Sequence, residues 1–491
     1  MPAKTQNQPM LKDGEYEVKK VMELAFFDLT GEKAKTKGSS NKSYHAELHV
    51  SKTKTDSQIY TMWGATGCHQ TQDWRYYNSE TDALKDFDAI IKSKKKKGYQ
   101  EIDVAQRVLG SDEAKKITKA VELKNLDIAK DLPKSSLHTE TQRLISSLMG
   151  ATNQFVIKTL KCPLGQLTNK QIDEGRARLN EAKTIVAKSR LAKADEARIV
   201  ALTNEFYSLI PHNFSSGARG QMLELLLDTQ DKIIQKEYDL DTLLDAKDLN
   251  VELTGSGVDD QYKSLETEFS FIDHIDDRFK WLDKMIQETR ASNHHYLGKI
   301  SLLNAWSIQR KGESDKFRSV ADKIAMECGK QVFPNKLEKL VKTRPDGNPD
   351  LYQKANVIPL FHGTRTENLT GILKKGLLIR PSGAVITGSM YDKMGAIYFG
   401  KSSKSINYTN IKASYWANGN DNIAYLFIAD CVLGNQLIAK GPYGYTLQNI
   451  KPNHSVYAVG GASGVVNDEF MLYQINQHNI RYLLEFTCLK N

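Results

Sequence analysis

The sequence predicts an α+β multidomain protein, and three observations predict it. Its 491 residues exceed what a single hydrophobic core organises, so two to four domains are expected. Short β-type runs gather near both ends of the chain, at 44–64 and 357–486. Between them, about 134–264, apolar residues recur at helical spacing without any strand signal. The expected order is a flexible start (1–11), a small β-sheet with a helix (12–104), a linker (105–133), an all-α bundle (134–264) and a mostly antiparallel β domain (265–491).

Bulk properties narrow the class. With 40% hydrophobic and 26% charged residues, and no apolar run of bilayer length, a soluble chain without a membrane partner is expected. The first residues, MPAKTQNQPMLKDGEY, lack a secretory apolar core, so an intracellular address is expected. Cys68, Cys162, Cys328, Cys431 and Cys488 lie too far apart for a disulfide framework or a zinc finger, and no structural metal is expected. The net charge of +9 is uneven, because KSKKKKGY (92–99) places five lysines in six positions. Such a run attracts polyanions, although a solvated lysine loop reads the same way.

In the first domain, YHAELHV (44–50) alternates with period two and SQIYTMWG (57–64) follows a polar KTKTD, which is a hairpin signal. Ala83, Phe87, Ile90 and Ile91 then give a helix with one apolar and one basic face, stopped by Gly98. The linker, DEAKKITKAVELKNL within it, reads as partly helical. In the bundle, Leu144, Leu148 and Met149 share a face, and TNKQ (168–171) is a capping box that opens a stripe of Ile172, Leu179, Ala182, Ile185 and Val186. Ile199, Leu202, Phe206 and Leu209 repeat the pattern up to Pro211, with Ile233 and Ile234 further on.

The last domain carries VIPLFHG, AIYFG, AYLFIADCVLG, SVYAVG, EFMLYQI and IRYLLEF as strands, YLGKISLLNAWSIQR (296–310) as the first strand of its sheet, and helix only at LTGILKKGL. No G-x-G-x-x-G follows a first strand, which excludes a Rossmann dehydrogenase and a P-loop. His294 and His295 read as surface or loop histidines, since adjacent residues point apart on a strand and no second cluster partners them. By themselves Tyr398 reads as core and Glu469, opening a strand, as a solvated edge residue.

Three stretches in one order carry a more specific signal: LFHGTR (360–365), GAIYFGKSSKSINY (395–408) and VVNDEFMLY (465–473). Together they resemble the His, Tyr, Glu signature of the poly(ADP-ribose) polymerase family. CPLGQLTNKQI (162–172) and NEFYSLIPHNF (204–214) resemble the helical regulatory domain of its DNA-dependent members, and the N-terminal unit resembles their WGR domain. The tripeptide that names the WGR domain departs here, because Trp63 and Gly64 are followed by Ala65.

The resemblance implies an NAD+-dependent enzyme that breaks the nicotinamide–ribose bond, with NAD+ as substrate and no metal. The nicotinamide ring of NAD+ is already cationic before it leaves, so the demand is to hold the ring, stabilise an oxocarbenium-like ribose and orient an acceptor, tasks suited to a carboxylate. By resemblance Gly363 pairs through its backbone with the carboxamide, Ser405 donates to it, Tyr408 stacks on the ring and Tyr398 walls the pocket. His362 bonds the adenosine ribose, Thr364, Arg365, Asn368 and Arg380 lie on the NAD+ side, Lys404 and Met390 near the acceptor, and Glu469 forms the catalytic set with His362 and Tyr398. Trp63, Arg75, Lys94, Lys95, Lys96 and Lys97 are candidate DNA contacts, with Trp63 equally readable as a core aromatic.

Implied partners are DNA ends or nicks, acceptor proteins and an accessory factor, with a nuclear address in a eukaryote and a cytoplasmic one otherwise. Poly(ADP-ribose) formation on proteins, including the chain itself, in response to DNA breaks is the leading expectation. Transfer of single units, or a DNA-end-binding scaffold with an inactive transferase domain, are the alternatives.

Overall fold

Strand alternation and helical stripes build a computed structural model that describes residues 4–6, 9–11, 14–29, 40–65, 71–102, 135–160, 167–188, 190–212, 222–248, 257–328, 335–347, 349–379, 395–442 and 444–489. The linker 105–133 lies outside the described residues. Contacts divide the chain into two compact units, Met1–Asp131 with Asn153–Gly255, and Leu132–Thr152 with Ser256–Asn491.

The first unit holds a six-stranded antiparallel sheet of β1 (Lys4–Gln6), β2 (Tyr16–Asp28), β3 (Ser40–Ser51), β4 (Ser57–Ala65), β5 (Thr71–Tyr77) and β6 (Gln100–Ile102), in the order β1-β5-β4-β3-β2-β6. The expected hairpin is β3–β4, with Tyr44 opposite Trp63. Period two sends Tyr44, Ala46, Leu48 and Val50 into one core with Ala83, Phe87 and Ile91 of helix α1 (Glu80–Lys96), which is capped by Ser79 accepting from the Asp82 N–H. His45, Glu47 and His49 therefore share the opposite face, where all three are buried.

Helices α2 (Thr139–Thr159), α3 (Asn169–Val186), α4 (Lys193–Leu209), α5 (Met222–Leu225) and α6 (Gln230–Asp248) follow, and the expected capping box of Thr168 and Gln171 opens α3. The apolar stripes read from sequence are core: Ile172, Leu179, Ala182, Ile199, Leu202, Phe206 and Ile233 are all buried. Unexpectedly, this core also contains Ala25, Phe27 and Ile102 from the sheet, and Leu29 just after β2. The Phe27 N–H donates to Ser208 Oγ (3.0 Å) and the Leu29 N–H to Asn204 Oδ1 (2.9 Å), so α4 side chains satisfy backbone donors at the end of β2. Sheet and bundle thus share one core in this unit.

The second unit is organised by a nine-stranded sheet, mostly antiparallel as expected. In chain order it comprises α7 (Val258–Ser264), β7 (Thr267–Ile272), α8 (Asp277–Glu288), β8 (Lys299–Arg310), α9 (Glu313–Glu327), α10 (Asn335–Lys342), α11 (Pro349–Ala355) and β9 (Val357–Gly363). After these come α12 (Leu369–Lys375), β10 (Ile397–Gly400), α13 (Ser402–Ile406), β11 (Ala424–Val432), β12 (Gln436–Ile438), β13 (Ser455–Ala458), β14 (Glu469–Leu472) and β15 (His478–Leu489). The strand order is β12-β13-β14-β10-β9-β11-β15-β8-β7, with only β12–β13 parallel among the described pairs. Two expectations fail here. Helix is not confined to LTGILKKGL, because α9, α10, α11 and α13 are also helical, and the first strand of the sheet in sequence is β7 rather than β8.

Residues 139–152 of α2, expected within the bundle, group with this second unit. Arg143 makes a two-pronged ion pair with Glu485 of β15, Nη1 to Oε1 at 2.9 Å and Nη2 to Oε2 at 2.5 Å. Glu485 is 1% exposed and also accepts from Asn304 Nδ2 (2.7 Å) and the Tyr425 hydroxyl (3.1 Å). Further along α2, Thr152 Oγ1 lies 3.1 Å from Thr370 Oγ1 at the start of α12.

Candidate active site

Antiparallel register brings the three C-terminal stretches together. Gly400 is opposite Phe361 on one side and Glu469 on the other, so the end of β9, the end of β10 and the start of β14 lie side by side. His362 and Gly363 end β9, Tyr398 lies on β10, Lys404 and Ser405 on α13, and Tyr408 just after it. Arg380 and Met390 lie outside the described residues.

His362 fixes its ring on β10, with Nδ1 2.9 Å from the Tyr398 carbonyl. Burial lowers its pKa, favouring the neutral ring, in which Nδ1–H donates and Nε2 keeps a lone pair. Tyr398 pairs with Met471 in register and packs against the cluster containing Ala396, Met471 and Tyr473. It is therefore partly core, as its strand pattern alone suggested, while its carbonyl orients the histidine.

Packing alone requires a glycine at position 363. A Cβ here would lie 1.8 Å from the Ser405 carbonyl oxygen, so α13 could not pack against β9 beside any larger residue. Ser405 is itself buried and donates its hydroxyl to the Phe361 carbonyl (3.0 Å). The turn after Gly363 is internally braced: Asn368 Nδ2 donates to Thr364 Oγ1 (3.1 Å), the Asn368 N–H to the Arg365 carbonyl (3.1 Å), and the Thr366 N–H to Asn410 Oδ1 (2.7 Å).

Glu469 is not the solvated edge residue that a strand start suggests. β14 runs between β13 and β10, which buries Glu469 to 7% exposure. Its Oε1 pairs with Lys404 Nζ at 2.6 Å, and the same ammonium lies 3.3 Å from the Tyr408 hydroxyl. Burial opposes the charge on Lys404, but Tyr408 and Glu469 outweigh it and raise its pKa. A carboxylate, an ammonium and a phenol are thus held within one hydrogen-bonded group.

Several supporting residues escaped the sequence reading. Lys401 pairs with Asp468 at 2.5 Å, tying the start of α13 to the residue before Glu469. His295 is exposed as expected, but His294 is buried: its Nδ1 lies 2.9 Å from Ser403 Oγ, and Asn467 Nδ2 donates to its Nε2 (3.1 Å). Burial, with Lys404 and Arg290 nearby, lowers its pKa and keeps it neutral. The only sequence signal was polar density, Asn467 and Asp468 preceding Glu469 and Ser402 and Ser403 preceding Lys404. No group of three His, Cys, Asp or Glu side chains suited to a metal occurs among the described residues.

The candidate DNA contacts behave differently from one another. Lys94 Nζ sits 3.8 Å from the Tyr44 ring centre, and burial, together with Lys97, Arg75 and Lys42, lowers its pKa to about 8. Lys95 pairs with Glu101 (2.6 Å), whereas Lys96 and Lys97 are exposed. Arg75 lies between Asp73 and Asp86, and Trp63 stacks on Tyr44 while partly buried against the sheet core.

His362, Gly363, Lys404, Ser405, Tyr408 and Glu469 are thus gathered where the ends of β9 and β10, the start of β14 and helix α13 meet. The model described as "Poly(ADP-ribose) polymerase catalytic domain" matches residues 276–463, "Poly(ADP-ribose) polymerase, regulatory domain" matches 135–269, and "WGR domain" matches 27–106. The chain belongs to the poly(ADP-ribose) polymerase family. It is similar to poly [ADP-ribose] polymerase 1 of Gallus gallus, 28% identical over 376 residues, covering 70% of this chain and 32% of the relative. It is also similar to poly [ADP-ribose] polymerase of Sarcophaga peregrina (24% over 491 residues, 90% and 44%) and poly [ADP-ribose] polymerase 2 of Homo sapiens (26% over 498 residues, 91% and 77%). The chain thus spans 32% of the first of these relatives but most of the last.

Among the described residues, no helix is long and apolar enough to cross a membrane.

Proposed function

We propose that this chain is an NAD+-dependent poly(ADP-ribose) polymerase that modifies proteins, itself included, and is stimulated by DNA ends or nicks through its WGR domain. The observation that carries the reading is the buried Glu469 carboxylate, held by Lys404 beside Tyr408 and the end of β9. NAD+ is the substrate; its nicotinamide lies between the Gly363 backbone and Tyr408, and His362 Nε2 accepts from the adenosine ribose. Lys404 occupies one oxygen of Glu469 and leaves Oε2 to accept from a ribose or acceptor hydroxyl, so that negative charge faces the cationic ribose of the transition state. No general acid is needed, because nicotinamide leaves as a neutral molecule.

DNA regulation rests on the WGR match and on exposed Lys96 and Lys97. The shared core of sheet and bundle supports a physical route from DNA to the regulatory helices, with Ala65 standing where the WGR tripeptide has its arginine. Response to DNA breaks follows from that route, with a nuclear address if the host is eukaryotic.

The test is NAD+ consumption and product length with and without nicked DNA, for the wild-type chain and Glu469→Gln. The substitution keeps shape, removes the charge, and should lower turnover by roughly 3 to 4 kcal/mol of transition-state stabilisation while NAD+ still binds. A polymer ladder unchanged by Glu469→Gln refutes the catalytic assignment. Single-unit product from the wild type supports mono-ADP-ribosyl transfer instead, and DNA binding without NAD+ consumption supports the scaffold.

A further inference from the structure

Beyond Tyr408 the chain makes a loop, 409–421, whose construction exceeds what joining α13 to β11 requires. Asn407, 1% exposed, is its hub: its carbonyl accepts from the Trp416 and Ala417 N–H groups (both 3.1 Å), and its Oδ1 accepts from the Tyr415 N–H (2.8 Å) and the Tyr296 hydroxyl (3.0 Å). Asn407 Nδ2 donates back to the Ser403 carbonyl (2.9 Å), fixing the hub on α13. The loop closes on itself where the Lys412 N–H donates to the Asp421 carbonyl (2.8 Å) and the Asp421 N–H to the Asn410 carbonyl (2.9 Å). Gly419 passes so near Asn410 that a Cβ would lie 2.2 Å from its backbone.

Two non-glycine residues in this loop adopt left-handed conformations, Ala413 at φ 72° and Asn418 at φ 48°. An alanine there is unfavourable and persists only when its surroundings over-determine it. The strained, closed loop presents two large aromatic residues to solvent, Tyr415 at 69% and Trp416 at 54% exposure. Hydrophobic burial does not account for them. Trp416 lies nearly parallel to Tyr408, with ring centres 6.3 Å apart and an interplanar angle of 18°, and Tyr415 meets Trp416 edge-on at 4.8 Å and 89°. Lys404 meanwhile holds the hydroxyl end of Tyr408.

We propose that Trp416 is a positioning residue for Tyr408, fixing the plane of its ring for a flat cationic or carboxamide-bearing ring, and that loop 409–421 determines affinity for the nicotinamide half of NAD+. The proposal rests on the reading that Tyr408 stacks on nicotinamide. A hydrogen bond at the hydroxyl end of a tyrosine fixes the long axis of its ring but leaves rotation of the ring plane about χ2, which a ligand must otherwise remove. Offset stacking on an indole itself held by the Asn407 hub removes that freedom in advance. Tyr415 in turn restrains the indole.

The experiment uses the full chain with Trp416→Leu, Trp416→Phe and Tyr408→Ala, titrated with nicotinamide, NAD+ and ADP-ribose. Trp416→Leu should weaken nicotinamide and NAD+ about threefold to tenfold, the scale of one aromatic stack, while ADP-ribose, lacking the ring, binds within about twofold of wild type. Trp416→Phe should stay within about twofold of wild type for all three, since it restores an aromatic face. The indole fluorescence lost in Trp416→Phe should, in the wild type, be quenched by nicotinamide. If Tyr408→Ala weakens nicotinamide binding and Trp416→Leu does not, the brace is refuted and the reading of Tyr408 stands. If Tyr408→Ala leaves nicotinamide binding unchanged, the reading of Tyr408 falls and the brace with it. An equal loss of ADP-ribose affinity in Trp416→Leu, or an absence of quenching, also overturns the proposal.

Discussion

Replacing Arg143 by alanine tests whether the start of α2 is integral to the catalytic unit. The substitution removes two short charge-assisted hydrogen bonds from Glu485, which at 1% exposure keeps, among the described residues, the neutral donors Asn304 Nδ2 and the Tyr425 hydroxyl. Stripping one partner from a fully buried pair costs about 3 to 5 kcal/mol. Arg143 itself is 42% exposed, so water reaches its side of the pair and a discounted cost of about 2 kcal/mol is expected. For a domain of this size that corresponds to a fall of about 4 to 8 °C in the melting temperature of the catalytic unit. Thermal unfolding of Arg143→Ala, Glu485→Gln and the double variant completes a cycle, and the double variant should recover more than about 1 kcal/mol relative to the sum of the singles. Additive effects within about 0.5 kcal/mol would refute the clamp. The same reasoning sets where the bundle can be removed: a deletion beginning at Ser135 discards Arg143, whereas one beginning after Thr152 keeps it. If the bundle restrains the catalytic unit until DNA binds, as its resemblance to a regulatory domain implies, the second deletion should raise DNA-independent activity, and a stable but unstimulated enzyme would count against that restraint.

In the WGR sheet, burial works against charge on His45, but Glu23 and Glu47, one at each ring nitrogen, outweigh it and lift its pKa to about 9. A raised folded pKa makes this contribution complete below about pH 6.5 and lost as pH rises through about 9, an order of 3 kcal/mol in all. Denaturant unfolding at pH 6 and pH 10 measures it, and an equal pH dependence in His45→Phe would rule out this origin. Gly363→Ala should destabilise the catalytic unit by about 1 to 3 kcal/mol, because α13 must move, and should abolish NAD+ binding; a well-folded, active variant would contradict the packing argument. Replacing exposed Lys96 and Lys97 by alanine should lower the salt dependence of DNA affinity by about one unit of slope per lysine. Lys94→Ala should instead lower the stability of the sheet through loss of its contact with Tyr44. Unchanged salt slopes for the first pair would mark those lysines as solvated side chains only.

Local periodicity carried most of the secondary structure. The helices of the bundle were legible because their apolar faces repeat at 3.6 residues, and α3 announced its start through Thr168 and Gln171. β11 was legible as a continuous apolar run because it lies inside the sheet, buried at every position. β2 was missed because its character changes along its length, alternating at first and wholly buried from Leu24 to Phe27, where the bundle covers it. The helices α9 to α11 were missed because they are short or heavily charged, and packing against the sheet decides them. Within the site, residue types and order were legible, but burial of Glu469 depends on strands β10 and β13 pairing to either side of it. The roles of His294, Asn407 and Trp416 depend likewise on contacts between distant segments, which no local pattern encodes.

The close approach of Gly363 to Ser405 bears on how such sequences should be compared. A glycine demanded by the folding of the scaffold is retained whether or not the protein still turns over, so its presence is poor testimony to catalysis. A buried ion pair such as Lys404–Glu469 is the opposite kind of witness: apolar residues of similar volume can replace it without loss of stability, and often with gain. A pair of this kind is therefore better testimony to chemistry than to folding. In sorting active chains from inert ones, the lysine and the glutamate should be weighed ahead of the histidine–glycine turn that first draws the eye.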